Sequence, residues 1–443
     1  METLERLRAD EFKGEKRLNI SCGLTSFPRE VFNLADSLEV LDLSNNQLES
    51  LPDDLPRLYN LKALFLNNNQ FKSVPEVLAR CPQLSMISFK SNHLTRLSET
   101  ALPLQTRWLI LTNNQLTTLP ASLGKLTKLQ KLMLAGNQLR SLPDELSACL
   151  NLELIRIAAN QLPTLPRWLL TLPRLAWVAY AGNPFSAELA ATKRCPSHLE
   201  QIDWQDLAIG EQLGQGASGI IYQAIWNDGT SPKQVAVKVF KGNVTSDGLP
   251  ADEMRACIAA GPHQNLVSVL GQVVNHPDQK EGLVFPFISK DYSTLGGPPS
   301  LESCTRDTYA PGTRFALGTS LRIAQSVAAA TAYLHSRGIL HGDLYPHNIL
   351  SHPSGDSFLG DFGAAAFFDP TDTATSAALE RIEVRAFGCL LQDLLARCPA
   401  QESETHVEVF QTLRAMQQAC MLPTVMGRPV FRAICHELGG LMV

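Results

Sequence analysis

The chain has 443 residues, of which 44% are hydrophobic and 18% are charged, and its formal net charge is −5. At roughly 100–200 residues per domain, this length predicts two or three domains, each able to bury its own hydrophobic core. The composition excludes intrinsic disorder and a small disulfide-rich protein, and the mild acidity argues against nucleic-acid binding.

The N-terminal segment, residues 1–19, is charged and lacks the apolar core of a signal peptide. No run of about 18 uncharged apolar residues predicts a transmembrane helix. The ten cysteines are scattered, without the paired spacing of a zinc site or a redox motif. The sequence therefore predicts a cytoplasmic protein with reduced thiols and no membrane span.

The first half of the chain repeats with a period of about 23 residues. Seven segments share one pattern of apolar residues and an asparagine, and these asparagines are 23, 23, 22, 23, 23 and 23 residues apart. They are Asn46, Asn69, Asn92, Asn114, Asn137, Asn160 and Asn183. A weaker copy at 18–24 brings the number of units to about eight. The pattern resembles that of leucine-rich repeats.

Such repeats stack short strands into a curved α/β solenoid, a horseshoe whose repeated asparagines bond turn backbone inside. The large side chains that flank the inward residues of the strands are expected to face outward and to bind a protein partner or the second half of the chain. The candidates are Phe65, Trp108, Met133, Arg156 and Trp177. We expect a cap at 1–17, repeats at 18–185, a solenoid cap or linker at 186–205 and a second domain at 206–443.

The second half begins with a glycine-rich turn between two predicted strands. Gly214, Gly216 and Gly219 have G-x-G-x-x-G spacing, and residues 220–224 continue as a strand. A dinucleotide-binding turn would open a helix instead. An alternating strand at 234–240 follows, with Lys238 as its single charged residue.

Later segments complete the resemblance to the eukaryotic-type protein kinase fold, in the tyrosine-kinase-like group. HGDLYPHN (341–348) is similar to the catalytic loop and DFG (361–363) to the metal-binding turn. ALE (378–380) takes the place of the family's APE motif, with Arg428 as the expected partner of Glu380. The resemblance implies an α+β bilobal fold for this half.

The family pattern also implies roles for single residues. Lys238 would contact the ATP phosphates and Glu253 would orient it, while Asp343 would accept the proton of the substrate hydroxyl. Asn348 and Asp361 would hold Mg²⁺ or Mn²⁺. The remaining nucleotide-binding candidates are Gly214, Gln215, Gly216, Gly219, Phe285 at the gatekeeper position, and Phe287.

The sequence departs from the family at several positions. Gly342 replaces the catalytic-loop Arg that usually receives an activation-segment phosphate, so we expect that this chain does not need such phosphorylation. Tyr345 replaces the Lys typical of Ser/Thr kinases, and His347 lies where many tyrosine kinases have Arg. Glu383 replaces the Asp that braces the catalytic loop, and its longer side chain can still serve. The linker 289–318 could cover the cleft or be flexible.

These observations favour an ATP- and Mg²⁺-dependent protein kinase, directed at Ser or Thr with Tyr left open. The repeats would recruit a substrate or regulate the kinase, with an intramolecular contact as a further option. The alternative is a catalytically weak or inactive nucleotide-binding pseudokinase scaffold. The presence of Asp343 and Asn348 favours the enzyme, because nucleotide binding alone does not require the catalytic Asp.

Overall fold

The computed structural model describes residues 2–9, 11–192 and 199–442. Small parts of the expected N-terminal cap (Met1 and Asp10), residues 193–198 of the expected solenoid cap, and Val443 lie outside the described residues. The chain divides into two compact units, Met1–Leu172 and Pro173–Val443. The sequence places the end of the repeats at 185, so its last repeat copy belongs to the second unit.

The first unit is a ladder of short parallel strands that follow one N-terminal helix. The helix is α1 Glu2–Arg8, and the strands are β1 Arg17–Asn19, β2 Val40–Asp42, β3 Ala63–Phe65, β4 Met86–Ser88, β5 Trp108–Ile110, β6 Lys131–Met133 and β7 Leu154–Arg156. Each strand pairs in parallel with the next. The central residue of each strand is a buried Leu or Ile, as a solenoid core requires.

The repeated asparagines are buried between successive turns. In Asn137, Nδ2 donates to the carbonyl oxygens of Leu111 and Leu134, both at 2.9 Å, and Oδ1 accepts from the backbone N–H of Leu116 at 3.1 Å. Asn114 and Asn160 make the same kinds of bond one repeat away. The asparagine ladder thus satisfies backbone groups that stacking removes from water.

The second unit begins with a strand and a helix and continues into a mixed sheet. Its first elements are β8 Trp177–Ala179, α2 Pro184–Thr192, β9 Glu200–Asp203, β10 Leu207–Gln215, β11 Gly219–Trp226, β12 Lys233–Phe240, α3 Pro250–Ala260, β13 Gly271–Val274 and β14 Gly282–Pro286. Six strands form the sheet β10-β11-β12-β14-β13-β9. Trp226, Val235, Val237 and Val284 are among its buried core residues. The alternating burial of β12 matches the alternation in its sequence.

Helix α3 has clear start and stop signals. Pro250 occupies the first turn, where its missing N–H costs nothing, and Gly261 follows the helix with φ +67°. The helix therefore presents Glu253 at a fixed place beside the sheet.

The C-terminal part of this unit is mostly helical. Its elements are β15 Ser293–Thr294, α4 Leu317–Ser336, β16 Ile339–Leu340, β17 Ile349–Ser351, β18 Ser357–Leu359, β19 Ala366–Phe367, α5 Thr373–Leu395, α6 Ala400–Thr405, α7 Val407–Cys420 and α8 Phe431–Gly439. The buried positions of α4 recur at three- and four-residue spacing, as in Leu317, Leu321, Ala324 and Ala328. β15-β17-β18 and β16-β19 form two small sheets around the loops that carry the candidate catalytic residues.

One strand lies where the sequence analysis expected a solenoid cap or linker. β9 pairs in parallel with β13, so Glu200–Asp203 is the edge of the six-stranded sheet. Only Ile202 of its four residues is buried, and because apolar and polar residues do not alternate here, the pattern did not predict a strand. Within the described ranges, no helix combines the length and the hydrophobicity needed to cross a bilayer.

Candidate active site

A cavity of about 480 Å³ lies in the second unit, and six of the predicted site residues line it. Lys238, Glu253, Phe285, Phe287, Asn348 and Asp361 all line it. Its apolar lining includes Leu213, Ile221, Ala236, Val267 and Leu350. The cavity therefore combines an apolar surface with charged groups.

Lys238 lies on β12 and forms an ion pair with Glu253 of α3, as the sequence predicts. Both side chains are largely buried. Burial acts to lower the pKa of Lys238, but the nearby carboxylates of Glu253 and Asp361 outweigh it and hold that pKa above its ordinary value. Lys238 therefore stays cationic in a site that suits phosphate oxygens.

The catalytic-loop candidates Asp343 and Asn348 are joined directly. Asn348 Nδ2 donates at 2.9 Å to both the carbonyl oxygen and Oδ2 of Asp343. Glu383 of α5 holds the preceding backbone, because Oε1 accepts from the N–H of Gly342 at 2.6 Å and Oε2 from that of His341 at 3.3 Å. Glu383 thus braces this loop, as expected for the longer acidic side chain.

Asp361 stands at the start of the DFG turn with φ +56°, an uncommon conformation for a non-glycine residue. Its Oδ1 accepts from the N–H of Gly363 at 3.1 Å, which stabilises the turn. The side chain is exposed toward the cavity, whereas Phe362 is buried and packs near His341. His341 also bonds within the loop, since its Nδ1 accepts from the backbone N–H of Asp343 at 3.3 Å.

The predicted phosphate-binding glycines lie where β10 meets β11: Gly214 is near the end of β10, Gly216 is in the turn, and Gly219 begins β11. A Cβ on Gly214 or Gly216 would meet no atom within 4 Å, so these positions leave open space. A Cβ on Gly219 would lie 2.6 Å from the carbonyl oxygen of Val239, so this glycine is required by the neighbouring strand. Gln215, the last residue of β10, is exposed.

Phe285 lies on β14, opposite Ala236 of β12, and is only 8% exposed. Phe287 follows it, partly buried, where the chain leaves the sheet. Both aromatic side chains therefore form cavity wall, in agreement with their predicted placement.

A carboxylate that the sequence analysis missed fixes His347 of the catalytic loop. Asp307, in the linker 289–318, accepts from the backbone N–H of His347 at 2.7 Å and lies 2.8 Å from its Nδ1. No motif or spacing marks Asp307, because its partner is 40 residues away in the chain. At least this part of the linker is bound to the catalytic loop.

The expected pairing of Arg428 with Glu380 is wrong. Arg428 donates to the carbonyl oxygens of Pro173, Arg381 and Leu422 at 2.7–3.0 Å. Glu380 instead accepts from the N–H of Phe431 and faces His335 at 3.6 Å. A buried histidine thus takes the place that the family resemblance gave to the arginine.

The five predicted partner-binding residues do not share the expected exposure. In the repeats, Phe65 and Trp108 are partly buried, and Lys131 Nζ lies 4.4 Å from the centre of the Trp108 ring. Met133 and Arg156 are buried, with 7% and 2% exposed. Trp177 belongs to the second unit, is 2% exposed and donates from Nε1 to the carbonyl oxygen of Leu344, which agrees with the expected option of a contact with the second half of the chain.

The residues present fit a nucleotide and a divalent cation. The volume is within the roughly 300–1,000 Å³ range of small-molecule sites. The apolar lining suits a base, and Lys238 suits phosphate oxygens. The amide oxygen of Asn348 and the carboxylate of Asp361 are the oxygen ligands that Mg²⁺ prefers.

Comparisons with known proteins agree with this geometry. Residues 207–388 match the family model described as protein tyrosine and serine/threonine kinase, and residues 16–71 and 36–94 match that of the leucine rich repeat. A probable serine/threonine-protein kinase of Dictyostelium discoideum is 29% identical over 150 residues, which are 34% of this chain and 8% of the relative.

Two further relatives cover longer stretches of the chain. A serine/threonine-protein kinase of Schizosaccharomyces pombe is 24% identical over 46% of this chain and 52% of its own length. The nodulation receptor kinase of Pisum sativum is 28% identical over 45% of this chain and 23% of its own length. The chain thus spans at most about half the length of these relatives. The matched regions are leucine-rich repeats within 16–94, followed by a protein tyrosine and serine/threonine kinase domain at 207–388.

Proposed function

We propose that the chain is a protein kinase that transfers the γ-phosphate of ATP to a serine or threonine hydroxyl of a protein, with Mg²⁺ or Mn²⁺ as cofactor. The observation that carries this proposal is the joining of Asp343 to Asn348 beside a cavity that also holds Asp361 and the Lys238–Glu253 ion pair. Two of the relatives are named serine/threonine-protein kinases, which supports the choice of hydroxyl.

Each residue has one task in this reaction. Asp343 accepts the proton of the substrate hydroxyl. At the same time the hydroxyl oxygen bonds to the γ-phosphorus, and the bond between the γ-phosphorus and ADP breaks. Lys238 binds phosphate oxygens and is kept in place by Glu253. Asn348 and Asp361 hold the divalent cation, whose charge neutralises the phosphates when bound.

The repeats serve protein recognition in this proposal. Phe65 on β3 and Trp108 on β5 keep part of their aromatic surface exposed, and such side chains are enriched at protein interfaces. Their replacement by alanine is expected to raise KM for a protein substrate that the repeats bind, and to leave KM for a short peptide unchanged.

We place this activity in the cytoplasm. Nine described cysteines are free thiols. Burial raises the pKa of Cys81 and of Cys149 to about 11, which keeps these thiols protonated and inert. Such thiols suit a reducing compartment.

The test uses the full chain with Mg-ATP and a generic protein substrate. Phosphate transfer is measured by radiolabel and by intact mass, and the modified amino acid is identified. Asp343→Ala is expected to lower kcat by about 10²–10⁴-fold, since it removes the general base. Asp278→Ala is the matched control, because Asp278 is an exposed loop carboxylate.

Each outcome separates the candidate functions. Loss of transfer in Asp343→Ala and normal transfer in Asp278→Ala support the kinase. A wild-type chain that binds ATP and transfers no phosphate would support the pseudokinase scaffold. Transfer to tyrosine alone would overturn the proposed hydroxyl class and keep the enzyme.

A further inference from the structure

Gly342, immediately before Asp343, is in direct contact with the backbone of β8. Its φ is +75°, and a Cβ there would lie 2.5 Å from the carbonyl oxygen of Val178 and 2.7 Å from that of Ala364. Any side chain at this position would have to push one of these two backbones away. The strand and the catalytic loop therefore fit together only because residue 342 is glycine.

Trp177 holds the other side of Asp343. Its Nε1 donates to the carbonyl oxygen of Leu344 at 3.1 Å. Its ring stacks on Tyr345 with the ring centres 4.3 Å apart and an angle of 7° between the planes. Tyr345 in turn stacks on His347 at 5.1 Å. Both flanks of Asp343 are thus fixed by two consecutive residues of β8.

The segment 173–180 that carries Trp177 is itself anchored in the second unit. Tyr180 is buried, and its hydroxyl donates to the carbonyl oxygen of Phe367 at 3.2 Å. Arg428 donates to the carbonyl oxygen of Pro173 at 2.7 Å, and Arg385 to that of Arg174 at 3.0 Å. Three bonds from separate elements keep Trp177 at the loop.

We propose that Trp177 is a positioning residue for phosphoryl transfer, and that segment 173–180 holds the catalytic loop in its working geometry. This inference rests on the proposed kinase function. Trp177 acts through Leu344 and Tyr345 and does not line the nucleotide cavity. Its removal therefore affects the placement of Asp343 and not the binding of ATP.

The first test compares kinetics in the full chain. Trp177→Ala is expected to lower kcat by about 10- to 100-fold, because small displacements of a reacting group have effects of this size. KM for ATP is expected to stay within about twofold, since the cavity wall is unchanged. Trp177→Phe keeps a stacking ring and is expected to recover most of kcat. Trp168→Ala, which removes a partly buried Trp of the repeats, is the control and is expected to leave kcat unchanged.

The second test does not depend on activity. Hydrogen exchange of the backbone amides of residues 341–348 is expected to be faster in Trp177→Ala than in wild type and in Trp168→Ala. Gly342→Ala disturbs the same contact from the loop and is expected to give the same acceleration. It covers the case in which Trp177→Ala fails to fold.

The outcomes distinguish this inference from the function on which it rests. If kcat of a folded Trp177→Ala equals that of wild type, or if KM for ATP alone changes, the positioning role is overturned. If wild type transfers no phosphate, the proposed function fails, and only hydrogen exchange still tests the positioning role. Unchanged exchange of residues 341–348 in both Trp177→Ala and Gly342→Ala would overturn that role. Faster exchange together with lower kcat supports the inference.

Discussion

His335 is a buried histidine whose positive charge is stabilised by two neighbouring carboxylates. Its Nε2 lies 2.6 Å from Glu383 Oε2, and Glu380 lies on the other side of the ring. Burial acts to lower the pKa of His335, but the two carboxylates outweigh it and raise that pKa to about 9. Glu383 also binds the backbone of Gly342, so this ion pair is connected to the catalytic loop.

The raised pKa predicts a loss of stability at alkaline pH. The contribution of the pair is complete below about pH 6.5, the ordinary pKa of His, and is lost as pH rises through about 9. The melting temperature of His335→Gln should therefore be below that of wild type at pH 7, with a difference that narrows toward pH 10. Thermal melts followed by circular dichroism measure this difference.

His263→Gln is the control for that experiment. Burial lowers the pKa of His263, so this histidine is neutral above pH 7 and contributes no alkaline transition. A difference between His335→Gln and wild type that stays constant from pH 7 to pH 10 would contradict a charged His335.

The sequence predicted the charged residues of the site better than it predicted the neighbouring residues that hold them in place. The Lys238–Glu253 contact followed from order and spacing, because family motifs fix both residues. Trp177 was expected to face outward from its strand, because the alternation of residues assigns them to the two faces of a strand. Alternation does not show which other part of the protein covers the outward face. Asp307 and the Glu380–His335 contact depend on partners distant in sequence, which a single sequence does not mark.

Among the elements, the asparagine ladder of the repeats predicts a local stability effect. Asn137→Ala removes three hydrogen bonds and leaves buried backbone groups of Leu111, Leu116 and Leu134 without that partner. The free energy of unfolding should fall by about 1–3 kcal/mol. Urea denaturation measures it, with exposed Gln138→Ala as a control expected within about 0.5 kcal/mol of wild type.

The activation segment predicts an enzyme that works without phosphorylation there. Helix α5 begins at Thr373, and the side chain of Asp372 accepts from the N–H of Thr375, so the segment already has a capped helical start. Replacing Thr371, Thr373, Thr375 and Ser376 together with Ala should leave kcat within about threefold of wild type, a change of less than about 1 kcal/mol.

Steady-state assays compare kcat of the quadruple variant and of phosphatase-treated wild type with kcat of untreated wild type. All three values should agree, because phosphate in the segment is not needed. A loss of more than about tenfold relative to untreated wild type, in both the variant and the treated protein, would show that phosphorylation is needed.

For the whole molecule, the second compact unit extends further toward the N-terminus than the kinase domain that the sequence predicts, although the matched kinase region itself starts at 207. The sequence predicts a kinase domain that begins at 206, whereas the compact unit begins at Pro173 and includes Trp177, Tyr180 and β9. The repeat pattern continues to residue 185, so the sequence predicts that the repeats end there. The strand of the last copy, β8, nevertheless belongs to the second compact unit.

This difference predicts the behaviour of two fragments. Fragment 173–443 should melt cooperatively and transfer phosphate, because it keeps β8, β9 and their contacts with the catalytic loop and β13. Fragment 206–443 should melt at a lower temperature and have a lower kcat, since it lacks both strands. Calorimetry and the phosphate-transfer assay compare them, and equal melting and activity would contradict the assignment of 173–205 to the catalytic unit.

Under the proposed function, the wall formed by Phe285 provides a way to identify the protein substrate. Phe285 closes one side of the cavity with a buried phenyl ring opposite Ala236. Shortening it to alanine would create room for an ATP analogue with an extra hydrophobic group on its base, which the wild-type cavity excludes by size. A cell extract supplied with such an analogue bearing a labelled γ-phosphate would then mark only the targets of the altered chain. The same ring that shapes nucleotide recognition thus offers a route to the cellular substrate.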